Sequence, residues 1–401
     1  MPSKTFCPLP WTHLATHPHG AVTLCCEAIQ ENRVAEARNG TDDYQTLHTA
    51  EYDFNKIMNS DSFKDTRKQM MNGEMPEPCK LCYKMESLGN QSKRTIESKR
   101  LDFSYDDALK ITSSDGTLNE VNFEFIELRL GNHCNLACRT CNPASSTKWL
   151  ADWIKIEGKD EYVFPQSVFN WPLDASFWDE LSAASKSTKY IYINGGEPLL
   201  IDKHRDYLQK LIDMDVAHNI ELIYSTNMTV INNTYEDVWP KFKRVQLMFS
   251  IDDLEERNQY IRYPAKWQKI MDTTNWITSL NQKYPNIQYN ILQTVSILNI
   301  FYLAEFEDFW RDKVPHISIN FVTDPDYYNP QHLPHDVKLK CINKLKGYAC
   351  HDTVKNFLNA DGDPNMLFEF FEITRKLDEI RREDFKKTFP ELYEMIGVYD
   401  V

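Results

Sequence analysis

The chain has 401 residues, 42% of them hydrophobic and 12% aromatic, which is enough to bury a sizeable core and excludes a disordered composition. Its formal net charge of −14 gives no global attraction for a phosphate backbone, so nucleic acid is not an expected partner. No apolar run is long enough to span a bilayer and Met1 to Phe6 lack the plan of a signal peptide, so the chain reads as cytoplasmic, with no membrane partner.

Three regions differ in character. Residues 1–95 are cysteine-containing and irregular, with turns at Pro8, Pro10 and His17–Gly20. Their one expected helix runs from Ser60 as N-cap to Gly73 as C-cap. So few strands predict a segment that needs a staple. Residues 120–325 alternate strand and helix signals. Strands are expected at Glu124–Leu130, Lys189–Ile193, Asn219–Tyr224, Arg244–Ser250, Gln288–Val295 and His316–Phe321. Helices are expected between them at Ser145–Ile156, Lys203–Asp213, Tyr235–Lys241, Trp267–Asn281 and Leu303–Lys313. Six strands separated by helices predict a parallel α/β sheet with right-handed crossovers, closed into a barrel or left open. Residues 326–401 form a mainly helical extension, broken at Pro334 and Pro364.

Ten cysteines in a cytosolic chain point, where clustered, to metal ligands before disulfides. Cys134, Cys138 and Cys141 are spaced C-x3-C-x2-C, just after the first expected barrel strand. In a parallel α/β barrel that is the carboxyl-end face, where active sites lie. Three thiolates hold three irons of a four-iron cubane and leave the fourth open to a substrate or cofactor. The alternative is zinc with a fourth ligand such as His133, which one tight loop disfavours.

The triplet resembles the signature of the radical S-adenosylmethionine superfamily, and the order of the later motifs agrees. The resemblance implies a partial (β/α)6 TIM-like barrel. It implies a 4Fe-4S cluster on Cys134, Cys138 and Cys141, S-adenosylmethionine on the open iron, and its reductive cleavage to a 5′-deoxyadenosyl radical that abstracts hydrogen from substrate. Gly195-Gly196-Glu197-Pro198 looks like the superfamily's GGE-P element, with Gly195, Gly196 and Glu197 at the cofactor's amino group. Ser225 and Asn227 match a position with polar cofactor contacts. Ser250-Ile251-Asp252-Asp253 is similar to a segment at the ribose hydroxyls, with Asp253 in place of the usual glycine. Arg262 matches an arginine that pairs with the cofactor carboxylate, against the plainer reading of a surface ion pair. Gln293 and Asn299 fit the pattern loosely, and the backbone near Phe321 and Val322 would face adenine. Thr140 departs from the frequent aromatic before the third cysteine, which leaves the ligands untouched.

Cys7, Cys25, Cys79 and Cys82 form a second constellation, with Pro10-Trp11 and an expected hairpin over Gly20–Leu24. It resembles the SPASM and Twitch auxiliary domains, here in N-terminal position, and implies a second 4Fe-4S cluster; structural zinc is the alternative. Cys26 adjoins Cys25 as a competing ligand, but the spacing from Gly20 favours Cys25. Glu86, Gly89, Ser92 and Arg94 read as an ordinary connector, with a link between module and barrel as the alternative; Cys341 and Cys350 read as buried free thiols, with a catalytic radical acid as the alternative; His17 and His19 read as turn residues without metal.

The resemblance covers most of residues 5–325 and implies a radical enzyme acting on a peptide or protein side chain, with an electron donor such as flavodoxin or ferredoxin. The same chemistry on a nucleotide, sugar or other small metabolite is one alternative. A zinc-stapled binding protein without catalysis is the other.

Overall fold

The computed structural model describes residues 4–28, 53–87, 89, 91–158 and 166–401. Part of the insert between the two N-terminal cysteine pairs, residues 29–52, lies outside the described residues. Among the described residues eight strands form one sheet: β1 His13–Thr16, β2 Val22–Thr23, β3 Phe125–Arg129, β4 Tyr190–Asn194, β5 Glu221–Thr226, β6 Arg244–Phe249, β7 Ile287–Val295 and β8 Ile317–Phe321. Their hydrogen-bonded order is β2-β1-β3-β4-β5-β6-β7-β8. The pairs β1/β3, β3/β4, β4/β5 and β7/β8 are parallel, whereas β1 and β2 form an antiparallel hairpin. All six strands expected over residues 120–325 form, each within two residues of its expected bounds.

The chain divides into two compact units, and β5 and β6 straddle their boundaries. The first comprises Met1–Asn132, Phe164–Tyr224 and Thr234–Val245. Here β1 and β3 are buried at nearly every residue, as strands of a parallel sheet covered on both faces are. β4 and β5 alternate between buried and half-buried positions, the period of a pleat with one face more deeply buried. The hairpin adds two strands that the barrel reading did not include. Gly20, at a φ of 87°, makes the turn, closed by His17 N–H to the Ala21 carbonyl at 2.7 Å.

The expected N-terminal helix spans Asp61–Met71. Ser60 takes the N-cap position without a side-chain cap, and Asn72 rather than Gly73 is the C-cap. This helix carries a protein-made staple. The guanidinium of Arg67, wholly buried, donates to the carbonyls of Gly116 (2.8 Å), Pro10 (2.9 Å) and Met58 (2.6 Å) and to Asn59 Oδ1 (3.2 Å). Those acceptors come from separate stretches of chain, so one side chain holds an otherwise strand-poor segment. In place of the helix expected at Tyr235–Lys241, short 3-10 turns form at Asn233–Tyr235 and Trp239–Lys241. Tyr235 and Trp239 stack there at 4.9 Å, and Pro240 disfavours an α-helix continuing through it.

The second unit comprises His133–Val163, Ser225–Asn233 and Gln246–Val401. Helices at Trp267–Lys283 and Leu303–Trp310 flank β7 in sequence, close to expectation. The C-terminal extension has helices at His335–Lys344, His351–Leu358, Met366–Arg381 and Pro390–Ile396. Its aromatic residues Phe370, Phe371, Phe385 and Phe389 share one core with Tyr260, Val295, Leu298 and Leu303. The extension is therefore part of the unit's interior, built from an amphipathic stripe at helical spacing. No helix of the described residues is long and apolar enough to cross a membrane.

Candidate functional site

The cysteine triplet lies in a loop whose backbone is held on both sides. The carbonyls of Cys134, Leu136 and Cys138 accept from Thr147 Oγ1 (3.4 Å), Ser146 Oγ and Trp149 Nε1 (2.6 Å). The N–H groups of Ala137 and Arg139 donate to the carbonyls of Tyr263 (2.6 Å) and Ile261 (2.7 Å). Those two bonds bracket Arg262, which fixes its register against the loop. A loop with its backbone polar groups paired in this way presents its side chains in one arrangement.

The Cys141 thiol feels the other two. Burial, with Cys138 and Cys134 nearby, pushes the Cys141 thiol up to about 12. Cys138 is also raised by burial, while the guanidiniums of Arg262 and Arg381 pull it back down. A buried thiol loses its proton only when positive charge compensates, which a bound metal provides directly. The donor set is three thiols on one loop, the ligand count of a cubane with one iron left open, with the Arg262 and Arg381 guanidiniums in the field of Cys138.

Asn227, at the end of β5, reaches this loop. Its side-chain amide donates to Asn135 Oδ1 (2.9 Å) and lies 3.7 Å from Cys134 Sγ, and its Oδ1 accepts from Thr229 N–H (3.0 Å). Ser225 is half-buried two residues earlier. Ser250 N–H donates to the Thr226 carbonyl at 2.9 Å, which ties the ends of β5 and β6.

Arg262 and Asp252 form a buried pair, Arg262 Nη1 to Asp252 Oδ2 at 2.8 Å, with 11% and 0% of the side chains exposed. The second Asp252 oxygen accepts Thr294 N–H at 2.9 Å, and the Asp252 carbonyl accepts from Gln293 (2.8 Å) and Asn299 (2.7 Å). The plainer reading of Arg262 as a surface ion pair is therefore wrong about the surface. Arg262 keeps a buried Nε with no hydrogen-bond partner. The departure at Asp253 has a local use: its Oδ1 accepts Leu254 N–H (2.7 Å) and Arg257 Nε (2.9 Å) at the start of the Glu255–Ile261 helix. Burial raises its carboxyl to about 7, against the pull of Arg257.

The Gly-Gly-Glu turn belongs to the first unit. Gly195 sits at a φ of 82°, and a Cβ there would lie 2.7 Å from Arg129 C and Leu130 N, so only glycine fits. Glu197 is fully buried and its carboxylate accepts Leu199 N–H at 3.1 Å. Gly196 also has positive φ, at 54°.

The four N-terminal cysteines also lie in the first unit. Cys79 ends a 3-10 turn and Cys82 follows on the Lys80–Ser87 helix. Burial raises Cys7, which also feels Cys79 and Cys82. Burial likewise raises Cys79, to about 12, with Cys82 adding to it, and raises Cys25, which feels Cys26, Cys7 and Cys79. Cys26 responds instead to burial, Glu127 and Lys93, and stands at about 11. The connector after the second cysteine pair makes bonds of its own. Arg94 donates to the Phe6 carbonyl (2.9 Å) and to Glu86 (3.0 Å from Nε), and Glu86 also accepts from Ser92 Oγ. Tyr83 Oη donates to the Thr5 carbonyl at 2.9 Å. These bonds fasten the Cys79–Cys82 stretch to the chain beside Cys7. Cys341 is buried and Cys350 half-buried. Among the described residues no group of three or more His, Cys, Asp or Glu side chains that could hold a metal ion is found.

The loop's other partners carried no sequence signal of function. Arg139, wholly buried, bridges Asp378 and Glu383, and Arg381 pairs with Asp152.

The model of SPASM, an iron–sulfur cluster-binding domain, matches residues 7–83, a span that runs from Cys7 past Cys82. No curated protein matches the chain. Among solved structures, native anSMEcpe with bound AdoMet is 18% identical, with a TM-score of 0.39 over 58% of this chain and 61% of that one. The same protein with bound AdoMet and Cp18Cys peptide is 18% identical, with a TM-score of 0.38 and the same coverage. SuiB from Streptococcus suis bound to S-adenosylmethionine is 14% identical, with a TM-score of 0.39 over 75% of this chain and 64% of that one. The chain thus spans less than two thirds of the length of these structures.

Proposed function

We propose that this chain is a radical S-adenosylmethionine enzyme with a second, auxiliary 4Fe-4S cluster. The observation that carries the reading is the cysteine loop: three thiols on a backbone held from both sides, with Arg262 in register beside it. The SPASM match over residues 7–83 supports the auxiliary module. In this reading residues 1–95 form that module, 120–325 a partial (β/α)6 barrel, and 326–401 a helical extension.

Cys134, Cys138 and Cys141 would each ligate one iron, leaving one for S-adenosylmethionine. When bound, cluster and cofactor supply one-electron cleavage of a carbon–sulfur bond and hydrogen abstraction from substrate, the electron coming from a flavodoxin- or ferredoxin-like donor. The chain's own residues bind and orient. The Arg262 guanidinium offers its unpartnered Nε to an anionic group while Asp252 holds its other end. Asn227 supports Cys134. Gly195 and Gly196 let backbone approach a ligand, and Glu197 shapes that turn. Cys7, Cys25, Cys79 and Cys82 fill the four sites of the auxiliary cluster, which leaves no iron open there. The substrate we favour is a peptide or protein side chain.

The test is anaerobic incubation of reconstituted, dithionite-reduced protein with S-adenosylmethionine. The reading expects 5′-deoxyadenosine to form, and to stop forming when Cys138→Ala replaces wild type. Protein that binds iron at the triplet yet never consumes the cofactor contradicts it.

A further inference from the structure

We propose that the C-terminal Met366–Arg381 helix and the turn after it are a working part of the triplet's cluster site, with Arg139 and Arg381 as its positioning residues. This rests on the reading of the triplet as a cluster loop and goes beyond it. It assigns a role to a segment that carries none of the recognised motifs.

Two clamps carry the inference, both inside the second unit. The first is Arg139, which lies between the second and third cysteines. Its side chain is wholly buried, bonded to Asp378, to Glu383 (2.9 Å) and to the Tyr260 carbonyl (3.3 Å). The guanidinium also lies 3.6 Å over the Tyr260 ring, and Tyr260 Oη donates to Asp378 at 2.6 Å. Asp378 in turn accepts Phe385 N–H at 2.7 Å, which locks the turn that follows the helix. An aspartate some 240 positions along the chain therefore fixes where the Cys138–Cys141 stretch sits.

The second clamp is Arg381, 7% exposed. It lies between two rings, 5.0 Å from that of Trp149 and 4.7 Å from that of Tyr263, and bonds Asp152 through Nε at 2.9 Å. Trp149 donates to the Cys138 carbonyl and Tyr263 accepts from Ala137 N–H, so Arg381 braces both groups that hold the loop around Cys138. Its two terminal nitrogens are buried without a hydrogen-bond partner. Asp152 balances one edge of this buried cation, and donors left unused at its other end are costly unless further negative charge, such as an anionic thiolate cluster, lies near. Outer residues of this kind set the orientation of metal ligands, and the charge near an iron–sulfur cluster sets its potential.

The experiment uses the full chain, loaded anaerobically with iron and sulfide and then exposed to a chelator. The triplet's iron is measured as the difference between each protein and its own Cys134→Ala/Cys138→Ala/Cys141→Ala counterpart. Asp378→Asn and Arg381→Gln are expected to lose triplet iron about tenfold faster than wild type. Arg381→Lys keeps the charge and is expected to restore retention, and Arg375→Gln, on the exposed side of the same helix, to match wild type. Arg381→Gln is further expected to shift the cluster's midpoint potential negative and alter its electron paramagnetic resonance spectrum, because a cation that favours the reduced state is gone. Loss rates, potential and spectrum all matching wild type would overturn the proposal. So would faster loss shared equally by the iron that remains in the triple-alanine proteins, which marks general unfolding. Wild-type protein without any triplet iron would overturn the functional reading as well, and is seen before a variant is compared.

Discussion

Two wholly buried arginines hold the two cysteine regions, and they do so differently. Arg67, beside the N-terminal module, donates to three backbone carbonyls and one amide oxygen. Burial lowers its guanidinium to about 10. Arg139, inside the triplet, faces two carboxylates and a tyrosine ring, and its guanidinium is held above its usual range by Tyr260, Tyr328, Asp378 and Glu383 despite burial. The first joins stretches of backbone that lack strands. The second joins a ligand loop to a distant helix through charge. Neutral acceptors suffice to tie a fold together; paired charges add a fixed geometry, at the risk of a large loss if one member is removed.

The largest expected effect follows from that risk. Arg139→Met strands two partly buried carboxylates and should destabilise the second unit by about 3–5 kcal/mol, read as a shift in urea midpoint. A loss below about 1 kcal/mol would mean that the pair holds little. The next effect concerns the first unit alone. His204 is fully buried, stacked on Tyr235 and bonded to its hydroxyl at 2.8 Å, and burial lowers its imidazole to about 4. A base whose folded value lies below its unfolded one contributes stability above pH 6.5 that is lost as pH falls towards 4. That loss amounts to about 3 kcal/mol. Unfolding of His204→Phe should therefore show a correspondingly smaller acid loss over this window; identical pH profiles would contradict the assignment. Arg67→Met should cost less than Arg139→Met, about 2 kcal/mol, because it leaves carbonyls rather than carboxylates unpaired. If the two costs are equal or reversed, the contrast between the regions fails.

How legible all this was in the sequence depends on distance along the chain. The strands were legible because β3 to β8 are short runs of apolar and β-branched residues whose pattern is local. The Gly195 turn was legible because a positive φ and a close backbone approach demand glycine. Placing Arg262 beside the triplet required the resemblance, and the structure adds that Asp252 is its buried partner. The hairpin's entry into the sheet was not legible, since nothing in His13–Thr16 announces a parallel neighbour more than a hundred residues later. The clamps were illegible for the same reason. Asp378 and Arg381 look like surface charges on an amphipathic helix, and only the fold brings them to Arg139 and Trp149. The contacts of the Glu86–Arg94 connector were not legible either, because Arg94 donates to the Phe6 carbonyl, a backbone atom 88 positions away, while Glu86 accepts from Arg94 and Ser92.

The most direct test of the central claim is anaerobic iron, sulfide and zinc content per chain, for wild type and for Cys134→Ala/Cys138→Ala/Cys141→Ala. The account predicts roughly eight irons falling to about four, with negligible zinc in either protein. Zinc without iron, in protein kept anaerobic and offered both iron and sulfide, would contradict it.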